Sequence, residues 1–142
     1  MFLGTFTLKL DDKGRFFLPP RFRDAFKDGL VVTRDQDRCL AVFTAADFEQ
    51  RARKALSAAD TQAVARSYRR MLTSGASDDV PDRQGRVTIP QILRDYAALN
   101  RDIVVSGALD RLEVWNTEAF AKYTTENESS FAELDEVIFA QE

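Results

Sequence analysis

The sequence predicts an α+β fold in which two β-hairpin repeats close on each other into one pseudo-two-fold β-barrel, with a helical connector and C-terminal helices. Three observations predict this fold: a motif at positions 11–19 recurs at positions 82–90, apolar residues alternate as in half-buried strands, and the intervening segment has helical apolar spacing. The chain has 142 residues, of which 44% are apolar, so it can form the core of one ordinary domain.

The repeat is centred on an Asp-x-x-Gly-Arg element. Residues 11–19 read DDKGRFFLP and residues 82–90 read DRQGRVTIP, so Asp, Gly, Arg and Pro recur in register. Matching apolar segments follow in both copies, which extends the correspondence to two units near residues 4–48 and 76–120. Units this small rarely form a core alone, so we expect the two to pack against each other.

Each copy begins with a strand and a turn. Phe6, Leu8 and Leu10 alternate with polar residues, which is the period of a half-buried strand. Residues 11–14 then form a turn, because Asp can accept a hydrogen bond from the backbone two residues on and Gly tolerates a positive φ. A second short strand follows the glycine.

A short helix and a hairpin complete the copy. Pro20 suits the first position of a helix, and Phe22 and Phe26 have the spacing of one buried helical face. Residues 31–33 and 40–43 are rich in β-branched and apolar residues and are expected to form the two strands of the hairpin.

Helices are expected between and after the copies. Thr44 is placed to cap the first connector helix, and residues 57–60 have the form of a capping box for the second. Phe131, Leu134 and Ile138 recur at helical spacing near the end of the chain. The chain is thus divided into a first repeat, a helical connector, a second repeat and an acidic C-terminal helix, at residues 1–48, 49–75, 76–120 and 121–142.

Composition argues against most enzyme classes. The chain has no histidine, which removes Ser/His and Cys/His nucleophilic pairs and the commonest ligand of zinc, copper and haem. The single cysteine, Cys39, cannot form an internal disulfide and is expected to be a small buried strand residue. We therefore expect no catalysis, cofactor, metal or small-molecule substrate. Without a long apolar run or a secretion signal, we expect a cytoplasmic protein with no membrane contact.

Charge is distributed unevenly along the chain. The net charge is -3, but residues 1–101 carry 18 Lys and Arg against 13 Asp and Glu, whereas residues 102–142 carry 2 against 10. A basic body with an acidic end is one signature of nucleic-acid contact on one surface and partner contact or self-repulsion elsewhere.

Both turns place an arginine directly after the glycine and an aspartate four residues earlier. The pairs are Asp11 with Arg15 and Asp82 with Arg86. A nearby carboxylate would fix the direction of the guanidinium, as a bidentate contact to guanine O6 and N7 requires. An ion pair that only holds the turn explains the same spacing, so the spacing leaves both roles open.

Other residues of the two turns have supporting roles in this interpretation. Lys13 and Arg83 flank the arginines and are expected to contact phosphates, which strengthens binding to any sequence. Gly14 and Gly85 supply the turn geometry, and the aspartates orient the arginines.

With the doubled Asp-x-x-Gly-Arg element and the opening segment MFLG, the chain resembles the MraZ family, bacterial members of the AbrB-like, swapped-hairpin DNA-binding proteins. The resemblance implies a transcriptional regulator that binds guanine-rich direct repeats upstream of the division and cell-wall gene cluster, which includes its own gene. It also implies a ring-shaped homo-oligomer associated with the nucleoid. DNA contact is then carried by Asp11, Arg15, Asp82 and Arg86, with Lys13 as the basic residue of copy one.

Some residues depart from the family pattern. Phe16 and Phe17 are bulkier than the pair often found after the arginine, and Pro20 replaces a more usual Ala or Ser. The strand before Asp82 is more polar than its counterpart and includes two further acidic residues at 78–79. We therefore expect copy two to pair less firmly, and Arg15 and Lys13 to contribute more to binding than Arg86.

Other functional classes remain as alternatives. An antitoxin-like DNA-binding module would use residues 121–142, which are acidic with isolated apolar side chains, to bind a partner. An aspartic-protease dyad of Asp11 and Asp82 is disfavoured, because the neighbouring Lys and Arg residues would keep both carboxylates ionised. RNA binding is also disfavoured, because the aromatic residues do not cluster on one strand as a base-stacking surface requires.

Overall fold

The computed structural model describes residues 1–57 and 61–133, which contain eight strands and five helices. The strands are β1 (Thr5–Lys9), β2 (Arg15–Phe17), β3 (Leu30–Arg34), β4 (Leu40–Thr44), β5 (Ser77–Asp79), β6 (Arg86–Thr88), β7 (Asp102–Gly107) and β8 (Leu112–Asn116). The helices are α1 (Pro20–Arg23), α2 (Ala45–Ser57), α3 (Ala63–Ser74), α4 (Gln91–Tyr96) and α5 (Thr117–Glu133).

The two repeats exchange their first strands. Six strands form an antiparallel sheet in the order β1-β7-β8-β4-β3-β5, so β1 of copy one lies on β7 of copy two and β5 lies on β3. The two hairpins meet at the β4–β8 pair in the middle of the sheet. Exchanging the copies leaves this order unchanged, so the sheet has a pseudo-two-fold axis between β4 and β8.

A single closed barrel is not confirmed. In the described ranges β1 and β5 are the outer strands of the six-stranded sheet, and β2 and β6 form a separate two-stranded ribbon. Pro19 and Pro90 follow these strands closely and lead into α1 and α4. Because proline has no backbone N–H and fixes φ, the pairing of β2 with β6 does not continue past these residues.

One core is shared by both copies. The inward side chains of the ribbon and the helices after it pack with those of the six-stranded sheet, and the phenyl rings of Phe2 and Phe26 stack 5.1 Å apart. Its fully buried members come from both repeats and include Phe16, Leu18, Phe26, Val32, Val42, Val87, Ile89, Leu93, Ile103 and Val105. The expectation that the repeats pack against each other is therefore confirmed.

The strands and short helices lie close to their predicted positions. The hairpin segments at 31–33 and 40–43 fall within β3 and β4. Phe22 and Phe26 are both buried, although α1 ends at Arg23 and Phe26 lies in the turn that follows. Strand β5 forms three residue pairs where β1 forms five, in agreement with its more polar sequence.

Helices α2 and α5 begin at capping residues, whereas α3 follows Gln62 without a side-chain cap. Thr44 Oγ1 accepts a hydrogen bond from the Asp47 N–H at 3.2 Å, so the predicted cap of α2 is confirmed. Asn116 Oδ1 accepts one from the Ala119 N–H at 2.9 Å at the start of α5.

The predicted start of the second connector helix at Ser57 is wrong, because Ser57 ends α2, where its hydroxyl donates to the Lys54 carbonyl at 2.7 Å, and α3 begins at Ala63. Residues 58–60 of that capping box lie outside the described ranges.

The C-terminal helix is described in part. Phe131, on α5, is exposed, whereas Leu134 and Ile138 lie outside the described residues. Across residues 1–57 and 61–133, none of the helices has the length and apolar character that crossing a bilayer requires.

Cys39 is buried, as expected, but it lies one residue before β4 and not within the strand. Its thiol donates a hydrogen bond to the Gln36 carbonyl oxygen at 3.3 Å, and burial raises the pKa of the thiol well above its ordinary value. The side chain therefore packs as a small neutral residue.

Two equivalent hydrogen bonds join the repeats at the ends of the ribbon. The Leu18 N–H donates to the Gly85 carbonyl and the Ile89 N–H donates to the Gly14 carbonyl, both at 2.8 Å. Each of these glycines has a positive φ, 77° at Gly14 and 81° at Gly85. The turn glycine of each copy thus accepts a hydrogen bond from the other copy.

An arginine from the opposite copy lies against each glycine. Arg23 Nε donates to the Leu18 carbonyl at 3.0 Å, and a Cβ atom on Gly85 would lie 2.5 Å from that nitrogen. Arg94 Nε donates to the Ile89 carbonyl at 2.9 Å. A Cβ atom on Gly14 would lie 2.8 Å from Arg94 Nε and 2.9 Å from the Ile89 carbonyl oxygen.

These contacts predict different responses to alanine at the two glycines. Gly85→Ala should destabilise the fold by about 1–3 kcal/mol through its positive φ, and by an additional amount because Arg23 must move. Adding Arg23→Ala removes that clash, so the double variant should lose less free energy of unfolding than the sum of the single variants. Chemical denaturation of the four proteins measures this coupling.

Gly14→Ala with Arg94→Ala is the matched comparison. The Ile89 carbonyl is part of the backbone and stays in place, so removing the arginine should recover less free energy at Gly14 than at Gly85. Equal coupling in the two cycles would contradict the difference in packing.

Candidate nucleic-acid interface

Asp11 organises the first turn with both of its carboxylate oxygens. Oδ1 accepts hydrogen bonds from the backbone N–H groups of Lys13 and Arg15, both at 2.9 Å, and Oδ2 accepts one from Arg15 Nε at 2.7 Å. The Gly14 N–H donates to the Asp11 carbonyl at 3.0 Å and closes the turn. Chiefly because the Arg15 backbone N–H stabilises the charged form, the pKa of Asp11 lies below its ordinary value.

The second turn repeats this arrangement. Asp82 Oδ1 accepts hydrogen bonds from the N–H groups of Gln84 and Arg86, both at 2.9 Å, and Oδ2 accepts one from Arg86 Nε at 2.6 Å. The Arg86 backbone N–H is again the largest cause of a lowered pKa, here for Asp82. Both carboxylates are therefore ionised at neutral pH, and each lies against its own arginine.

The two arginines share one surface. Strand register places Arg15 opposite Thr88 and Phe17 opposite Arg86, and these four side chains lie on the outer face of the ribbon, here called the ribbon face. The residues between them are buried on the inner face: Phe16 and Val87. The ribbon face is thus a rectangle with the arginines on one diagonal and Phe17 and Thr88 on the other.

Each arginine is oriented yet accessible. Arg15 and Arg86 keep 27% and 24% of their side-chain surface exposed. The ion pairs use Nε, so the two terminal Nη groups of each guanidinium form the free end of the fork. A guanidinium with this orientation has the geometry of a bidentate donor to two acceptors in one plane.

The surroundings of the two arginines differ in charge. Lys13 is exposed beside Arg15, and a groove of about 250 Å³ next to it is lined in part by Lys9, Phe17 and Arg101. Lys9 is paired with Asp102 at 2.5 Å, which leaves Lys13 and Arg101 as the nearby positive charges.

The second turn has a different set of charges from the first, whose two central residues are Asp12 and Lys13. The two central residues of the second turn are Arg83 and Gln84, and the strand before it carries Asp78 and Asp79. The two further acidic residues of copy two thus lie in the strand before its turn, whereas copy one has a second aspartate, Asp12, within its turn. That Arg15 and Lys13 contribute more to binding than Arg86 stays a prediction.

Sequence reasoning missed Arg23 and Arg94. They occupy equivalent positions in the two copies, each followed by Asp, so the repeat itself contained a signal for them. It also missed Arg101, whose carbonyl accepts a hydrogen bond from the Leu10 N–H at 2.7 Å. That contact depends on the pairing of β1 with β7, for which the local sequence has no signal.

One group of potential metal ligands occurs within residues 1–57 and 61–133. Oxygen or sulfur atoms of Asp35, Cys39 and Glu113 lie within 4.8 Å of one another. Arg111 already supplies the positive charge there, with its Nε 3.0 Å from Asp35 Oδ2 and its Nη2 3.8 Å from Glu113 Oε2. Burial raises the pKa of Glu113. We therefore interpret the group as part of a half-buried ion-pair network.

The family model described as "MraZ protein, putative antitoxin-like" matches the chain twice, over residues 1–71 and 72–141. Each match contains one of the two Asp-x-x-Gly-Arg turns.

Curated relatives cover nearly the whole chain. A protein from Cutibacterium acnes named "Transcriptional regulator MraZ" is 52% identical over 142 residues, which is 100% of both chains. Proteins of the same name from Micrococcus luteus and Thermobifida fusca are 50% identical over 136 residues and 51% identical over 138 residues. These two alignments cover 96% and 97% of this chain and 95% and 96% of the relatives. The name denotes a transcriptional regulator, which is not an enzyme class. The chain therefore belongs to the MraZ family.

Proposed function

We propose that this protein regulates transcription by binding double-stranded DNA sequence-specifically, with the ribbon face against base edges in the major groove. The observation that carries the proposal is the position of Arg15 and Arg86 on one outward face, each held at Nε by an aspartate of its own turn. The major groove of B-DNA admits a two-stranded β-ribbon.

Arg15 and Arg86 read guanine. The fork of each terminal guanidinium matches the O6 and N7 acceptors of guanine, the commonest specific contact to DNA. Diagonal neighbours in an antiparallel pair are roughly 7–8 Å apart. Successive bases in one strand rise about 3.4 Å, so the two arginines are spaced to contact bases only a few steps apart.

The remaining turn residues support this contact. Lys13 and Arg83 are exposed beside the two arginines and are assigned to phosphates, which gives the salt-sensitive part of binding. Asp11, Gly14, Asp82 and Gly85 hold the turns in the conformation that aims the arginines.

We infer the operator from the family resemblance of the sequence and from the chemistry of the arginines. We place it in guanine-rich direct repeats upstream of the division and cell-wall gene cluster, including the gene of this chain, and the protein on the nucleoid in the cytoplasm. A ring-shaped homo-oligomer would explain how a chain with a net charge of -3 binds a polyanion. Several modest contacts at fixed spacing gain affinity by effective concentration.

Replacement of Arg15 tests the base contact. Arg15→Ala should weaken binding to a duplex from upstream of the chain's own gene by about 1–3 kcal/mol, because one bidentate contact is lost. Arg15→Lys should lose most of the same discrimination, since lysine keeps the charge but lacks the fork. Gel shift against a scrambled duplex of equal composition measures both effects.

Arg53→Ala is the matched control for charge. Arg53 lies on α2, is exposed and pairs with Glu49 at 2.6 Å, so its removal deletes one positive charge outside the ribbon face. It should leave the discrimination unchanged. Normal specific binding by Arg15→Ala, with normal thermal melting, would remove Arg15 from the interface.

Lys13→Ala tests the phosphate contact. Loss of one phosphate contact should weaken binding to the specific and scrambled duplexes alike and should reduce the slope of log K against log salt by about 0.9. Titration at several salt concentrations measures this slope. A changed base preference would contradict a phosphate role.

The oligomer is tested by mass measurement in solution. Native mass spectrometry or light scattering at micromolar concentration should show an assembly of several subunits. A strict monomer would contradict the idea that several ribbon faces in one oligomer raise the affinity for DNA. The contacts of a single ribbon face would still be tested by the Arg15 and Lys13 variants.

A further inference from the structure

The ribbon face departs from its own pseudo-two-fold symmetry at one pair of positions. Arg15 and Arg86 are equivalent, and their ion pairs with Asp11 and Asp82 have nearly the same length, 2.7 Å and 2.6 Å. The other diagonal holds Phe17 in copy one and Thr88 in copy two. The two arginines therefore have the same support from their turns but different neighbours across the ribbon.

Phe17 is an unusual side chain for this position. It is 51% exposed on the outer face, whereas Phe16 and Val87 on the inner face of the ribbon are buried. The Arg86 guanidinium carbon lies 6.0 Å from the centre of the Phe17 ring. A base contacted by Arg86 would therefore have this ring one or two base steps away, since the rise is about 3.4 Å per base.

The chemistry of the major groove limits what the ring can contact. Base edges in that groove present hydrogen-bond donors and acceptors, and the 5-methyl group of thymine is the apolar feature. An exposed phenyl ring donates no classical hydrogen bond, so it gains free energy there chiefly by covering that methyl group. Thr88, the equivalent residue beside Arg15, is smaller and polar.

We propose that Phe17 is a specificity-determining residue that contacts the 5-methyl group of a thymine beside the guanine read by Arg86. The inference rests on the proposed function. The inference adds a preferred orientation of the protein on its DNA site, because a fully two-fold reading surface binds an asymmetric site equally well in both orientations. With Phe17 on one side only, one orientation gains the methyl contact and the other does not.

Uracil substitution tests the contact at the level of one methyl group. A duplex is selected from a random library with the full-length wild-type chain, and each thymine is then replaced singly by deoxyuridine, which keeps base pairing and removes only the methyl group. Uracil should weaken binding about fourfold at a thymine beside one guanine, which is the value for burying one methyl group. Uracil at the symmetry-related position should have no effect. Competition binding measures each duplex.

Two variants assign the effect to Phe17. Phe17→Ala should bind the thymine and uracil duplexes equally. The exchange variant Phe17→Thr with Thr88→Phe should move the sensitive thymine to the other half of the site. Phe131→Ala is the matched control, because Phe131 is an exposed phenylalanine on α5, and it should keep the wild-type pattern.

Several outcomes would overturn the inference. The first is that uracil is tolerated at every position, and the second is that uracil weakens binding equally in both halves of the site. The third is that Phe17→Ala, with native thermal melting, still binds the uracil duplex more weakly. Uracil tolerance combined with weaker binding of Phe17→Ala to all duplexes would show that the ring acts by supporting Arg86. Failure of the wild-type chain to select any sequence would instead contradict the proposed function, which separates the two failures.

Discussion

The ribbon face depends on the pairing of one short strand from each repeat with its counterpart. Strands β2 and β6 have three residues each, too few to be stable without a partner and a buried face. Pairing supplies the partner, and burial of Phe16 and Val87 beneath the ribbon supplies the face. The surface that presents Arg15 and Arg86 is therefore a property of the duplicated chain, and neither copy contains it alone.

The same pairing explains why the turn glycines are required. Gly14 and Gly85 have positive φ, accept a hydrogen bond from the other copy and lie directly against an arginine of that copy. A side chain at either position would disturb its own turn and the opposite repeat together. The orientation of Arg15 and Arg86 is thus coupled to the packing of the other half of the molecule.

The ion pair in each turn has no net charge, so the two turns can orient their arginines without making the chain basic. Each arginine is matched by its own aspartate, so the pair has orientation without net charge. Further cations lie in the surroundings of the ribbon face, such as Lys13, Arg83 and Arg101. Net charge of the whole chain therefore says little about whether this face attracts DNA.

The sequence predicted the local features of the site and missed the long-range ones. The recurrence of the motif at 11–19 in the segment 82–90 predicted the duplicated turns, and the spacing of Asp11 and Arg15 indicated their proximity, because both depend on a few neighbouring residues. The open sheet, the position of Arg94 against Gly14 and the groove beside Arg101 depend on which strands pair and where the ribbon stops. Strand pairing between distant segments has no counterpart in local periodicity, so these features emerge only in the folded chain.

The ribbon face is pseudo-two-fold, whereas the operator proposed above repeats directly along the DNA, and these are two different symmetries. A two-fold surface matches a palindrome, whereas direct repeats require every subunit to face the same way along the DNA. A pseudo-two-fold face can match a direct repeat only if its two copies differ at the positions proposed to contact DNA. They differ at Phe17 against Thr88, at Asp12 against Arg83 and at Lys13 against Gln84, while the paired aspartate and arginine of each turn are the same. Duplication within one chain lets these positions diverge, which two identical chains in a homodimer cannot do. In the proposed function, the fused repeat would keep the geometry of a symmetric ribbon and still distinguish the two directions of a DNA site.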